Sequence, residues 1–95
     1  MKIYLTAIIK TKPVFNTEVL KVLQNMVFQS NKETACELYH LHQSNEDENT
    51  FVFYEIWENQ AGLDLHNQQP YLQEFVNLID EKLQENPIIY TTKLI

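Results

Sequence analysis

The strands predicted from this sequence are apolar on both faces, and this feature limits the possible folds more than any other. Residues 51–58 show it most clearly, with Phe51, Phe53 and Trp57 on one face and Val52, Tyr54 and Ile56 on the other. A sheet with one face in water should alternate apolar with polar residues. Helices can cover only one face, and burying each large side chain on the other is worth about 1.5–3 kcal/mol. We therefore expect sheet-against-sheet packing in a twofold homodimer; the alternative is a monomer with an exposed apolar face.

Four strands are predicted, and the segments between them determine the topology. The strands are rich in β-branched and aromatic residues and fall at residues 2–10, 36–43, 51–58 and 88–95. A helix with Asn16 as its N-cap follows the first strand, and a polar hairpin loop joins the second strand to the third. The resulting β-α-β-β-α-β order predicts an α+β fold of ferredoxin-like topology with one four-stranded antiparallel sheet. The length fits a single domain, residues 1–95.

The second helical region is predicted in two pieces. Asn59 is the expected N-cap of a short helix over residues 60–67. Gly62 within that helix should cost roughly 1 kcal/mol relative to alanine. Pro70 suits the first turn of a longer helix, whose apolar face runs to Leu83.

The charge balance excludes several classes of partner. Lysine and arginine together number 7 and aspartate and glutamate 13, for a net charge of -6. An acidic chain without a basic cluster is a poor partner for nucleic acid or an anionic membrane surface. No stretch approaches the roughly 20 apolar residues of a membrane span, and the first residues lack a secretory signal pattern. The single cysteine, Cys36, permits no internal disulfide, so we expect a cytoplasmic protein.

Three segments, in order, resemble the antibiotic biosynthesis monooxygenase (ABM) family. Ala35–Gln43 is similar to its strand pattern GC-x-x-Y-x-L-H, and Phe51–Glu58 to the pattern F-x-x-Y-E-x-W. Asn59–His66 is similar to the following helix pattern, S-x-x-A-L-x-x-H. Together the segments and their spacing cover nearly the whole chain, although Ala35 and Tyr71 stand where the family often has Gly and His. The resemblance implies a dimeric α+β barrel with a pocket between the sheet and the helices of each protomer.

The resemblance also implies a range of activities. Members include cofactor-free monooxygenases that use O2 on electron-rich aromatics, enzymes that degrade haem, and isomerases of small sugar-like molecules. The haem-degrading branch needs Asn, Trp and His where this chain has Ala7, His66 and Val76. A chain with one glycine also lacks a phosphate-cradling loop, so we expect no cofactor. The expected function is a cofactor-independent monooxygenase of a small aromatic or quinol; the alternatives are an acid–base isomerase of a carbonyl compound and a non-catalytic binding module.

Two residues are candidates for catalysis. His66 ends the short helix that should roof the pocket, and imidazole is the side chain best suited to act as a general base near neutral pH. Glu55 is expected either to orient His66 or to hold a substrate hydroxyl. The alternatives are structural: a helix-end histidine interacting with the helix dipole, and a glutamate paired with a lysine or a backbone amide.

The candidates for substrate binding are mainly aromatic. Trp57 shares a strand face with Glu55 and offers a surface for stacking, and the others offer polar handles: His42, Tyr39, Tyr54 and Tyr71. Core or interface packing is the alternative for each tyrosine and for Trp57. His40, His42 and His66 suggest a zinc site only weakly, because no fourth ligand stands at a convincing spacing, so no metal is expected.

Overall fold

A computed structural model describes all 95 residues, Met1–Ile95. The elements, in chain order, are β1 (Ile3–Lys10), α1 (Asn16–Ser30), β2 (Cys36–Gln43), β3 (Thr50–Trp57), α2 (Gln60–Asn67), α3 (Pro70–Lys82) and β4 (Ile88–Thr92). A short 3-10 turn at Pro13–Phe15 leads into α1. None of the helices has the length and apolar character needed to cross a bilayer. The order of these elements confirms the predicted β-α-β-β-α-β arrangement, with the second helical region in two pieces.

The sheet is antiparallel throughout, with the strand order β2-β3-β1-β4. Its central strands, β1 and β3, pair in register from Ile3 with Trp57 to Lys10 with Thr50. Alternate residues of these strands are buried beneath the helices, where they meet the apolar stripes of α1, α2 and α3. The core side chains on this side include Leu5, Ala7, Ile9, Phe51, Phe53 and Trp57. We call this side of the sheet the helix face.

The opposite side, which we call the back face, has no helix over it. Paired strands bring together rows such as His40, Tyr54, Thr6 and Tyr90. Tyr54 is 38% exposed and Tyr90 is 57% exposed, although both are large aromatic side chains. The prediction that the helices cover one face and leave an apolar second face is confirmed for the single chain.

Three local predictions were wrong. Asn16 is not the N-cap of α1; it is the first helical residue, and its side-chain amide donates to Glu48 O and Asn49 Oδ1 across the hairpin loop. Helix α3 ends at Lys82, because Leu83 turns to an extended conformation and is buried beside Thr11. The last strand ends at Thr92, since β1 offers pairing partners only from Tyr4 to Ile8.

Gly62 has a packing role that its sequence context did not reveal. Asn59 caps α2 as predicted, with its Oδ1 accepting from the Gly62 amide at 2.8 Å. A Cβ atom built on Gly62 would overlap the Cβ of Ala35, closer than two non-bonded carbon atoms can approach. Alanine at position 62 would therefore clash, and the expectation that glycine costs stability there is wrong. The family patterns have Gly before the cysteine and Ala in the helix, and this chain carries the two residues in reverse.

Candidate active site

A cavity lies between the helix face of the sheet and the helices. Its volume, counted as the space that the centre of a water molecule could occupy, is about 70 Å³. Its walls are mostly apolar and draw on every helix and strand; they comprise Leu5, Ala7, Ile9, Met26, Tyr39, Phe53, Glu55, His66, Asn67, Leu72, Phe75, Pro87 and Ile89. Asn67 and Ile89 are exposed, the latter by 58%, so the mouth lies between the end of α2 and β4.

The cavity is small relative to an organic substrate. A buried water needs roughly 10–15 Å³ on this measure, and an engineered apolar cavity of about 150 Å³ in another protein binds benzene. At about 70 Å³ the cavity has the volume of several waters but is about half the size of that benzene site, so it must widen to admit one aromatic ring. A fused three-ring compound would demand a much larger rearrangement.

His66 is the first of two buried titratable groups on this cavity. It lies in the last turn of α2, is 2% exposed and packs against the Trp57 ring at a centroid distance of 4.3 Å. Its Nδ1 lies 2.7 Å from Glu33 Oε2. The distance would suit an ion pair, but burial lowers the pKa of His66 and outweighs the opposing effect of Glu33. We therefore regard the contact as a hydrogen bond from a neutral ring.

Glu55 is the second buried group. It lies on β3, is 4% exposed and accepts a 2.8 Å hydrogen bond at Oε1 from Trp57 Nε1. Burial raises the pKa of Glu55 to about 7, the Trp57 bond opposes that shift, and the nearby Glu33 carboxylate adds to it. No lysine pairs with Glu55, so the structural alternative of an ion pair does not apply. At neutral pH this carboxyl group can both donate and accept a proton.

Glu33 contacts His66, although sequence patterns marked it only as part of a polar loop. It lies in the loop between α1 and β2. Its Oε2 accepts hydrogen bonds from His66 Nδ1 and from the Tyr71 hydroxyl, each at 2.7 Å. Burial and the Glu33 bond raise the pKa of Tyr71, which keeps its phenol protonated as the donor. Tyr71 thus contacts the site through Glu33 and is not itself part of the cavity wall.

The remaining predicted binding residues divide between the two faces. Tyr39 lines the cavity, and Trp57 lies fully buried behind Glu55 and His66. His42 and Tyr54 lie on the back face, because they pair with Val52 and His40 and so point away from the helices. The structure therefore does not bring these two to the cavity.

The histidines do not converge on a common point. His40 and His42 have ring centroids 6.2 Å apart on the back face, while His66 is on the opposite side of the sheet. No group of three His, Cys, Asp or Glu side chains is arranged to hold a metal ion. Cys36 is half-buried, and its burial raises its thiol pKa to about 11, which disfavours a nucleophilic thiolate.

Comparison with known proteins points to one family. The family model for antibiotic biosynthesis monooxygenases matches residues 2–78. YcnE of Bacillus subtilis, whose name proposes a monooxygenase, is 38% identical over 74 residues, which is 78% of each chain. An uncharacterised Synechocystis protein, sll1783, is 38% identical over 68 residues; these are 72% of this chain but only 46% of that protein, so the match spans about half of its length. The crystal structure of PA3566 from Pseudomonas aeruginosa has a TM-score of 0.92 at 26% identity, covering 99% of this chain and 94% of that one.

Proposed function

The chain belongs to the antibiotic biosynthesis monooxygenase family, and from that premise we propose that it is a cofactor-independent monooxygenase of a single-ring phenol or hydroquinone. The observation that carries the proposal is that two buried titratable groups, His66 and Glu55, line one apolar cavity with an open mouth. Groups whose pKa is shifted by burial in a cleft are typical of acid–base catalysis. The family supplies the reaction type, and the cavity limits the size of the substrate.

The reaction needs no reductant other than the substrate. A hydroquinone can give up all four electrons that O2 accepts, so that one oxygen atom enters the ring to form a hydroxyquinone and the other leaves as water. Deprotonation of the ring hydroxyl makes the adjacent carbon electron-rich enough to bond with O2. The resulting hydroperoxide then loses a proton from that carbon and breaks its O–O bond, releasing water.

His66 and Glu55 are suited to different steps of this reaction. The neutral His66 ring has Nδ1 engaged by Glu33, so Nε2 is the nitrogen available to accept the substrate proton. Glu55, with a pKa raised to about 7, holds a proton often enough to deliver it to the departing hydroxide. Tyr39 and Trp57 pack around this pair, and His66 and Glu55 are only 2% and 4% exposed to bulk water.

The walls and the charge narrow the substrate class. Apart from His66, Glu55, Asn67 and Tyr39, the residues that line the cavity are apolar. A neutral ring with apolar substituents loses little solvation on entering such a site, whereas an anion would also meet the net charge of -6.

Oxygen uptake with a panel of single-ring and fused-ring hydroquinones tests the proposal. Single-ring compounds should be consumed with one O2 each, and His66→Ala should lower kcat by roughly 10²–10⁴-fold, because a general base contributes on that scale. Gln68→Ala, at an exposed position just after α2, controls for disturbance of the helix end. Oxygen uptake that is absent across the panel, or unaffected by His66→Ala, would count against the assignment.

An acid–base isomerase of a small carbonyl compound is the second candidate. It is favoured by the same observation that Glu55, with a pKa raised to about 7, can exchange protons in both directions at neutral pH. Turnover of a carbonyl substrate under nitrogen, with no oxygen consumed, would select it over the monooxygenase. A non-catalytic module is expected to have a small or collapsed pocket and to turn His66 and Glu55 toward water. The cavity is small, at about 70 Å³, but both side chains are buried.

We also propose that the protein is a homodimer joined through the back face. Large side chains there, Tyr54, Ile88 and Tyr90, are between 38% and 57% exposed in the single chain. Burial of such a surface against a second copy follows the expectation for a sheet that is apolar on both sides. Light scattering at micromolar concentration, with twice the mass of one chain expected, tests this arrangement.

A further inference from the structure

We propose that Glu33 is a positioning residue that fixes His66 in the tautomer with its proton on Nδ1 and leaves Nε2 free for the substrate. The role of Nε2 rests on the proposed function, but the tautomer is a property of the protein alone. It can be measured without a substrate, so the two ideas can fail separately.

The hydrogen bonds of Glu33 carry the inference. Its Oε2 lies 2.7 Å from His66 Nδ1 and 2.7 Å from the Tyr71 hydroxyl oxygen. An ionised carboxylate has acceptors only, so both neighbours must point a hydrogen at it. A neutral imidazole carries one N–H, and using it at Nδ1 leaves Nε2 as an acceptor with no partner in the protein.

Glu33 is anchored both at its backbone and at its side chain. The Glu33 amide donates to Ser30 O at 3.0 Å, and its carbonyl accepts from the Cys36 amide at 3.1 Å. The Tyr71 hydroxyl, which comes from the start of α3, fixes the side chain on the same oxygen that His66 uses. The side chain is only 13% exposed, so water competes weakly for these bonds.

No other charged group competes with Glu33 for His66. The rings of Trp57, Tyr39 and Tyr71 lie at centroid distances of 4.3, 5.4 and 6.4 Å from the imidazole. Glu55 faces the same cavity from β3, but its hydrogen bond goes to Trp57. No lysine forms an ion pair with either glutamate.

Nitrogen-15 NMR of the His66 ring tests the inference directly in the whole protein. In the wild type we expect the neutral ring to carry its proton on Nδ1. In Glu33→Ala we expect a mixture of tautomers and a lower pKa for His66, since the carboxylate raises that pKa. A wild-type ring protonated on Nε2, or an unchanged tautomer in Glu33→Ala, would overturn the proposal.

Two further variants separate positioning from folding. Glu33→Gln keeps an acceptor oxygen at the same reach and should retain most of the Nδ1–H population, whereas Tyr71→Phe keeps the carboxylate and should change the tautomer least. If Glu33→Ala does not fold, the wild-type spectrum and the Gln variant still decide the question.

Kinetics add a second measurement. With an active hydroquinone, Glu33→Ala should lower kcat by roughly 10²-fold or more with little change in KM, and Glu33→Gln should restore part of the loss. A kcat unchanged in a folded Glu33→Ala variant would overturn the positioning role. An Nδ1–H tautomer in a protein that consumes no oxygen would uphold the positioning and reject the monooxygenase.

Discussion

The two faces of the sheet are built from neighbouring residues of the same strands, yet they differ in burial and in chemistry. Phe53 and Glu55 on the helix face are 1% and 4% exposed, while Tyr54 between them is 38% exposed on the back face. The helix face holds every buried carboxyl and imidazole group of the site. The back face holds exposed aromatic and aliphatic side chains, together with the polar residues Thr6, His40 and His42. Alternation along one strand thus separates a reactive interior from a surface suited to association.

The largest expected difference between the faces concerns stability. Phe53→Ala should lower the free energy of unfolding by about 3–5 kcal/mol, because it removes a fully buried ring and leaves a hole. Tyr54→Ala, one residue along, should cost the single chain far less but weaken the proposed dimer. Urea unfolding together with light scattering measures both effects. Equal losses of stability from the two substitutions would contradict the contrast between the faces.

A pH dependence of similar size should come from Glu55. Burial raises the pKa of Glu55 from 4.5 to about 7, so the native state resists its ionisation. Stability from this group is full below pH 4.5 and is lost as the pH rises through 7, by about 3 kcal/mol in total. Glu55→Gln should therefore be more stable than the wild type at pH 8 but not at pH 4.5, as measured by urea unfolding. Glu58→Gln, at an exposed position just after β3, should not reproduce that gain.

The smallest of the three effects tests how closely helix α2 packs against Ala35. Gly62→Ala should destabilise the protein by roughly 1–3 kcal/mol through overpacking against Ala35. The double variant Gly62→Ala with Ala35→Gly removes the clash and should recover most of the loss. A thermal or urea double-mutant cycle measures the coupling, and additive losses would show that the two residues do not share this contact.

The element order was predictable because it depends on local periodicity and on turn residues. Strand β2 and helix α2 were predicted to the residue, since strong patterns and the Asn59 cap define their ends. Leu83 and the last three residues were assigned to the wrong elements, because their conformations depend on partners elsewhere in the chain. Leu83 forms an isolated β-bridge with Thr11, and β4 stops where β1 no longer pairs with it.

The site was only partly predictable. Glu55 and Trp57 were expected to share a strand face, with Glu55 a candidate to orient His66, and the alternation that grouped the first two also required Tyr54 to face away. Glu33 escaped notice because a glutamate in a polar loop has no periodicity to mark it. Its contacts with His66 and Tyr71 span 33 and 38 residues of sequence and exist only in the folded chain.

Every residue of β4 is exposed, and this strand forms one side of the cavity mouth through Ile89. Segments with little burial and solvent-exposed backbone bonds open at a fraction of the free energy of global unfolding. Transient fraying at this edge would enlarge the entrance without disturbing the imidazole and carboxyl groups deeper inside. In the single chain, before a second copy covers the back face, we therefore expect the amides of β4 to exchange their hydrogens well before those of β1 and β3, and admission of a ring to depend on that local motion.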